Sequence, residues 1–416
     1  MTDTPKNTVA PTGELNLSAD DIQRWGLAPG AQVEVVESPE GLLLRPVDPP
    51  IRRVYVEPTT LCNLQCETCV RHSWDEPLGM MTEATWDRLL ASLRQTPSLR
   101  SAAFWGIGEP LMHPRIADML RDVRPLVQST ELITNGLLLT RDVSQQLIAA
   151  GLDTLVLSAD GATAEANASV RDGADLETVR RNVYDLRVLR EELGVKHPEI
   201  GLEFVMMKSN VDQLPKLRSL AHSLGATFVI VTNLLPYTRE LASETLYNLS
   251  IASAYTQGRS LWFPEISLPR VDAREPALEP MVQLLRQEGS FPARNSPLSN
   301  EGPHCRFVNE GAVAVGWDGR VSPCVALLHS YTCYVRNREK AVRHWAVGNV
   351  NEQSLAEIWA RPEYVAFRKR VRDFDFSPCA DCGGCEYADT NEEDCFGNTF
   401  PVCGDCLWAR GVIQCP

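Results

Sequence analysis

From residue 51 to residue 232, short apolar runs alternate with longer amphipathic ones. The strand-like runs fall at 53–57, 102–105, 131–133, 154–157, 201–206 and 228–231. Helical periodicity fills the spaces between them, at 82–94, 114–127, 140–150, 176–193 and 211–223. Repeated strand–helix alternation predicts an α/β fold with a parallel sheet and crossover helices. Six strands suit a partial (β/α)6 TIM-type barrel better than a closed eightfold one. In such folds ligands collect at the carboxyl ends of the strands.

The pattern differs on either side of this core. Residues 1–50 predict a small β-rich unit and linker. A short strand at 13–17 is followed by a helix at 19–25, capped by Ser18 with Asp20 and Asp21 in its first turn. Two strands at 32–36 and 42–45 then turn through Ser38-Pro39-Glu40-Gly41. Pro46, Pro49 and Pro50 mark the linker. Residues 233–304 give one weak helical signal at 277–287 and are read as a connection and substrate wall. Residues 305–416 form a cysteine-rich C-terminal domain with a helix at 354–371.

Length and composition narrow the class. The 416 residues suit two or three domains, and 44% apolar with 23% charged is an ordinary globular balance. A net charge of −14 argues against a protein that grips nucleic acid through phosphates. No run is long and apolar enough for a membrane span, and the polar N-terminus lacks a secretory signal, so a cytoplasmic protein is expected.

The 13 cysteines change the picture. Cys62, Cys66 and Cys69 sit directly after the first strand. The others are Cys305, Cys324, Cys333, Cys379, Cys382, Cys385, Cys395, Cys403, Cys406 and Cys415. Clustered thiols in a reducing compartment bind metal or do redox chemistry more often than they form disulfides. Three thiolates fit one 4Fe–4S cube and leave one iron for a further ligand. A zinc site would want a fourth ligand, for which His72 is the candidate. In the tail, Cys379-x-x-Cys382 and Cys403-x-x-Cys406 are also compatible with zinc ribbons. Cys333 has no close partner in sequence and reads as a buried thiol.

The spacing Cys62-x-x-x-Cys66-x-x-Cys69 at the end of the first strand resembles the signature of the radical SAM superfamily. Trp105-Gly106-Ile107-Gly108-Glu109-Pro110 is similar to that family's glycine–glutamate element, which receives the amino group of S-adenosylmethionine. Glycines there are expected to let backbone approach the ligand. Thr134-Asn135 end the third strand, where a plain turn is the alternative. Ser158-Ala159-Asp160 end the fourth and resemble the ribose-contacting stretch. Arg171 falls where related enzymes hold an arginine for the methionine carboxylate. The resemblance implies a 4Fe–4S cluster that reduces S-adenosylmethionine to a 5′-deoxyadenosyl radical, with an electron donor such as ferredoxin or flavodoxin. The family's aromatic before the third cysteine is Thr68 here, so the adenine contact is expected from Trp74 or from backbone.

Cys305, Gly319, Cys324, Cys379 and Cys382 are similar to the SPASM extension of radical SAM enzymes, which implies one or two auxiliary 4Fe–4S clusters. Cys385, Cys395, Cys403, Cys406 and Cys415 depart from its usual spacing, so their division between clusters stays open. Val70 to Met81 and Gly383 to Pro416 resemble maturases found beside tungsten-cofactor oxidoreductases. That implies a tungsten-dependent oxidoreductase, or its pterin cofactor, as partner. Arg71, Trp74, Asp75 and Glu76 are either a loop over the cluster or substrate contacts. Residues 15–46 look like half of an AbrB-like swapped-hairpin barrel, which implies a homodimer. Three basic residues against eight acids in residues 1–50 make DNA binding there unfavourable. The alternatives carried are radical modification of a peptide or protein, and a metal-cluster transcription regulator.

Overall fold

The computed structural model describes residues 8–9, 15–19, 22, 33–38, 41–46, 48–247, 265–267, 271–272, 276–286, 305–377, 379 and 385–414. Most of the predicted helix at 19–25, most of residues 248–304, Cys382 and Cys415 lie outside the described residues. The N-terminal unit shows β1 (Thr8–Val9) paired antiparallel with β2 (Leu15–Asn16), and β3 (Val33–Ser38) paired antiparallel with β4 (Gly41–Pro46).

All six expected core strands form: β5 (Arg53–Val56), β6 (Ser101–Phe104), β7 (Ser129–Thr134), β8 (Thr154–Ser158), β9 (Glu199–Met206) and β10 (Phe228–Asn233). They lie side by side in chain order and every pairing is parallel. Both faces are covered, which is why they read as continuous apolar runs. On the helix side, Val54, Val56, Phe104, Leu132, Leu155, Leu202 and Phe204 join the main core. On the other face, Ile133, Val156, Phe228 and Ile230 pack with Trp105, and Tyr55 packs with Ala103, Ala312 and Ala314.

The sheet is longer than the six-strand reading. β11 (Glu265–Ser267) adds in parallel beside β10. From the tail, β12 (Ala312–Val315) pairs in parallel with β5, then β13 (Arg320–Ser322) joins antiparallel. A further tail hairpin, β14 (Tyr331–Val335) with β15 (Arg338–Val342), stands apart, and β16 (Gly348–Asn349) closes the sheet edge against β13. Among the described residues the sheet has ten strands. The tail is thus built onto the β5 edge. The hairpin β12–β13 turns through Trp317-Asp318-Gly319, residues that the likeness to the SPASM extension marks as a hairpin, but the pairing of β12 with β5 has no sequence signal because Ala312–Val315 is too short to show a period.

Three of the barrel helices start where short polar side chains cap them. Thr82, Thr140 and Asp175 accept backbone N–H groups at the starts of Glu83–Arg94, Arg141–Ala150 and Leu176–Leu193. Three expected helices are interrupted at prolines. The 114–127 segment is helical at Ile116–Val123, then tightens to a 3₁₀ turn at Arg124–Leu126 around Pro125. The 211–223 segment is 3₁₀ through Val211–Lys216, with Pro215 inside, before Leu217–Leu224. The tail helix breaks into Leu355–Trp359 and Pro362–Asp373, with Pro362 at the first helical position, where no N–H is needed.

Candidate functional site

The cluster loop leaves β5 at Glu57 and is fastened on two sides. Thr59 Oγ1 donates to the Gly79 carbonyl at 2.7 Å, and the Gly79 N–H donates to Thr60 Oγ1 at 2.8 Å. Further on, the Gln65 and Glu67 N–H groups donate to the Asp172 and Val170 carbonyls at 3.1 and 2.9 Å. Cys62, Cys66 and Cys69 are half-buried and free. Burial pushes the Cys66 thiol up to about 11, partly opposed by Arg171, and burial also raises Cys62. Arg71 donates to Cys69 Sγ at 3.2 Å and to the Leu64 carbonyl at 2.6 Å. Thiols that burial keeps protonated are the ones a metal's charge converts to thiolates. His72 Nε2 lies 2.9 Å from the Cys66 carbonyl, so the candidate fourth zinc ligand spends that nitrogen on backbone. Among the described residues, no three Cys, His, Asp or Glu groups converge on a point that would hold a single metal ion.

Beside this loop, a small cavity has a mostly apolar lining, including Leu64, Leu157 and Val179, into which Asn135, Ser158 and Arg171 are set. It gathers residues from the cluster loop and from the carboxyl ends of β7 and β8. Asn135 Nδ2 donates to Asn63 Oδ1 at 2.9 Å, tying the end of β7 to the cluster loop. Arg171 Nε lies 2.8 Å from Asp160 Oδ2, so the two expected contacts form one buried ion pair. Glu203, level with Ser158 across β8 and β9, is pushed up to about 7 by burial.

Glu109 is 2% exposed. Its carboxylate accepts from Thr134 Oγ1 at 2.6 Å, the Asn135 N–H at 2.8 Å and the Leu111 N–H at 3.0 Å. It therefore joins the end of β6 to the end of β7. The glycines also answer a packing need. A Cβ on Gly106 would stand 2.4 Å from Glu57 Cγ, and one on Gly108 would stand 2.4 Å from the Thr59 and Leu61 carbonyls. Their smallness lets this segment lie on the stem of the cluster loop. Trp74, an expected adenine contact, packs edge-on against His329, with ring centroids 4.5 Å apart.

In the tail, Cys305, Cys324, Cys403 and Cys406 line one cavity with Tyr331 and Trp408. Its empty space is about 760 Å³, counting the part open to solvent. Cys333 borders the same cavity, paired across the hairpin with Lys340. Lys340 Nζ is 2.8 Å from Asp405 Oδ2, and both side chains are buried. Burial pushes Cys305 and Cys333 each up to about 12. Cys379 and Cys395 meet elsewhere, over Ser377 Oγ at 3.6 and 3.0 Å. Cys385 is exposed. The chain thus brings Cys403-x-x-Cys406 to Cys305 and Cys324, although about 80 residues separate the pairs in sequence.

Sequence reasoning passed over one buried network. Glu57, His329 and Glu76 are linked through both imidazole nitrogens, at 2.7 and 3.0 Å. An acid closing an otherwise apolar strand was a legible signal at Glu57. His329, a lone histidine between Leu328 and Ser330, gave none.

Residues 56–207 match the radical SAM superfamily, and residues 305–386 match the SPASM iron–sulfur cluster-binding domain. The chain belongs to the radical SAM superfamily and is an enzyme of its SPASM-bearing class. Its cofactors are S-adenosylmethionine, a 4Fe–4S cluster and auxiliary iron–sulfur clusters. Within that class it is 32% identical over 369 residues to the tungsten-containing aldehyde ferredoxin oxidoreductase cofactor-modifying protein of Pyrococcus furiosus, covering 88% of this chain and 97% of the relative. It is 28% identical over 373 residues to the PqqA peptide cyclase of Gluconobacter oxydans, covering 85% and 90%. The fold is shared with Streptococcus suis SuiB bound to S-adenosylmethionine, at a TM-score of 0.52 and 16% identity, covering 85% of this chain and 74% of that one. Among the described residues no helix is long and apolar enough to cross a membrane.

Proposed function

We propose that this chain is a maturase that uses radical chemistry on the pterin cofactor of a tungsten-dependent oxidoreductase, or on that enzyme itself. The observation that carries the reading is the trio of half-buried thiols beside a cavity walled by Asn135, Ser158 and Arg171. The substrate assignment is supported by likeness to the Pyrococcus furiosus cofactor-modifying protein along most of both chains.

Cys62, Cys66 and Cys69 hold the cluster that, when bound, supplies the electron for cleaving S-adenosylmethionine to a 5′-deoxyadenosyl radical. The hard chemistry belongs to that group, and this chain binds, orients and excludes water. The backbone of Gly106, Ile107 and Gly108 faces the amino end of the ligand. Glu109, which follows that backbone, ties the segment to the end of β7 by accepting from Thr134 and Asn135. Ser158 and Asn135 serve the nucleoside. Arg171, held by Asp160, presents its cation to the methionine carboxylate.

One auxiliary cluster belongs to Cys305, Cys324, Cys403 and Cys406. A second draws on Cys379 and Cys395, with Cys382, Cys385 and Cys415 as its further candidates. An electron donor such as ferredoxin or flavodoxin reduces the enzyme in the cytoplasm. A homodimer forms through the N-terminal unit, supported by Val33 and Val35, 39% and 56% exposed on β3. Peptide modification is the second reading, favoured by likeness to the PqqA peptide cyclase. Anaerobic protein incubated with dithionite and S-adenosylmethionine tests the core of the proposal. 5′-Deoxyadenosine must form, and adding a tungsten-pterin enzyme lacking its mature cofactor must raise the rate. Stimulation by a peptide alone would favour the second reading.

A further inference from the structure

Glu57 closes β5 at the top of the barrel and is 1% exposed. Its Oε1 accepts the Ile107 N–H at 3.0 Å, between Gly106 and Gly108. Its Oε2 accepts from His329 Nε2 at 2.7 Å. The other ring nitrogen, Nδ1, donates to Glu76 Oε2 at 3.0 Å. Glu76 belongs to the strap between the cluster loop and Gly79, and it also accepts the Ser330 N–H at 2.7 Å and Arg320 at 2.8 Å. A ring whose two nitrogens both face carboxylates is a doubly donating imidazolium.

His329, Ser330 and Arg320 come from the tail, whereas Glu57, Glu76 and Ile107 come from the barrel. Because Gly106 leaves only the width of a missing Cβ beside Glu57, a shift of that side chain moves the segment directly. Without His329, one oxygen of a buried carboxylate loses its partner. The group must then take up a proton or turn away, and either outcome loosens Ile107.

We propose that His329 is a positioning residue for S-adenosylmethionine: through Glu57 it fixes the Gly106–Gly108 backbone from the iron–sulfur tail, so that binding at the first cluster depends on a correctly assembled tail. This rests on the reading of that segment as the binding site for the amino end of the ligand. It adds a role for residues outside both thiol groups.

The charges around the ring give the inference a pH signature. Glu57, Glu76 and Asp318 are acidic, Arg320 is basic, and His344 Nδ1 stands 3.5 Å from Glu76 Oε1. Burial works against charge on His329, but the bonds to Glu57 and Glu76 raise it to about 9. A histidine with a raised pKa contributes fully below its ordinary value of 6.5, and its contribution is lost as pH rises through about 9.

The test uses the reconstituted full chain under anaerobic conditions, with S-adenosylmethionine as the probe. Its dissociation constant is measured from pH 7.5 to 10 for wild type, His329→Gln and Glu57→Gln. Iron content and far-ultraviolet circular dichroism serve as fold checks. The expected result is binding roughly tenfold or more weaker in His329→Gln at pH 7.5. The gap to wild type must then narrow as pH passes about 9. Taking the ratio cancels the titration of the ligand's own amino group. A folded, iron-replete variant that binds like wild type overturns the proposal, and so does a gap that stays constant with pH. Should His329→Gln fail to fold, Glu57→Gln decides: it keeps an acceptor for Ile107 but loses the charge facing the ring, so the gap to wild type must show the same narrowing, and a constant gap overturns the proposal. If wild type itself does not bind S-adenosylmethionine, the reading of the first site is what fails.

Discussion

The loop after β5 and the tail cavity both gather thiols, yet they differ in number and in surroundings. The loop offers three, in one short stretch, next to a small, mostly apolar cavity into which Asn135, Ser158 and the Arg171 cation are set. The tail offers Cys305, Cys324, Cys403 and Cys406, drawn from two distant stretches and set among apolar neighbours such as Phe307, Val371 and Leu407. On the proposed reading this difference is chemical. Three thiolates under-ligate a four-iron cube and leave a corner for a substrate, whereas four saturate one and leave it to store or pass electrons. The Arg171 cation beside the loop suits a ligand that carries a carboxylate. The apolar neighbours of the tail thiols exclude solvent and tune potential.

The largest expected effect breaks the loop alone. Cys66→Ala should abolish 5′-deoxyadenosine formation under dithionite and lower iron by about four per chain. The tail iron, read by elemental analysis, should remain. If the variant still makes 5′-deoxyadenosine, the loop assignment is wrong. The reciprocal change, Cys403→Ser, should also remove about four irons. It should spare the electron paramagnetic resonance signal that responds to S-adenosylmethionine. Loss of that responsive signal, with the other iron intact, would reverse the roles of the two regions.

A smaller effect sharpens the comparison at the support of Asn135, which lines the loop's cavity. Glu109→Gln replaces an acceptor with a donor facing either Asn135 N–H or the Thr134–Leu111 pair. Losing such a buried bond costs about 1–3 kcal/mol. The dissociation constant for S-adenosylmethionine should therefore rise roughly tenfold. Calorimetry giving an unchanged constant would detach Glu109 from the site.

The smallest effect concerns how the tail is fastened. Arg368 is fully buried, forks onto Asp48 at 2.8 and 2.6 Å, and lies 3.9 Å from the Trp359 ring centre. Burial raises the Asp48 pKa, but the bonds from Arg368 and Arg372 outweigh it and lower it overall. A depressed carboxylate pKa contributes stability that is present above its ordinary value of 3.8 and is lost as pH falls. Arg368→Met should remove that part of the acid dependence of thermal unfolding while lowering the midpoint by a few degrees. An unchanged acid limb would show that the pair does not fasten the tail.

The barrel was readable because each strand is a short apolar run set off from its neighbours by a longer amphipathic stretch. The loop trio was readable because its spacing is local. The tail grouping was not, since bringing Cys403 and Cys406 to Cys305 and Cys324 is a matter of tertiary packing, and no periodicity encodes it. Prolines 125, 215 and 362 were visible, but their consequences depend on how much of the flanking helix the core needs. The close approach at glycines 106 and 108 was legible, but its protein neighbours Glu57, Thr59 and Leu61 were not, because a sequence shows where backbone must come close without showing to what. His329 was invisible for the same reason: its partners lie far away in the chain.

The central claim is that the loop's three thiols leave an iron on which S-adenosylmethionine docks. Its most direct test is electron–nuclear double resonance on the reduced enzyme with S-adenosylmethionine labelled with ¹⁵N at the amino group. The account predicts a ¹⁵N coupling that disappears in Cys66→Ala and survives in Cys403→Ser. Absence of any coupling, with zinc bound one to one at the loop, would contradict it.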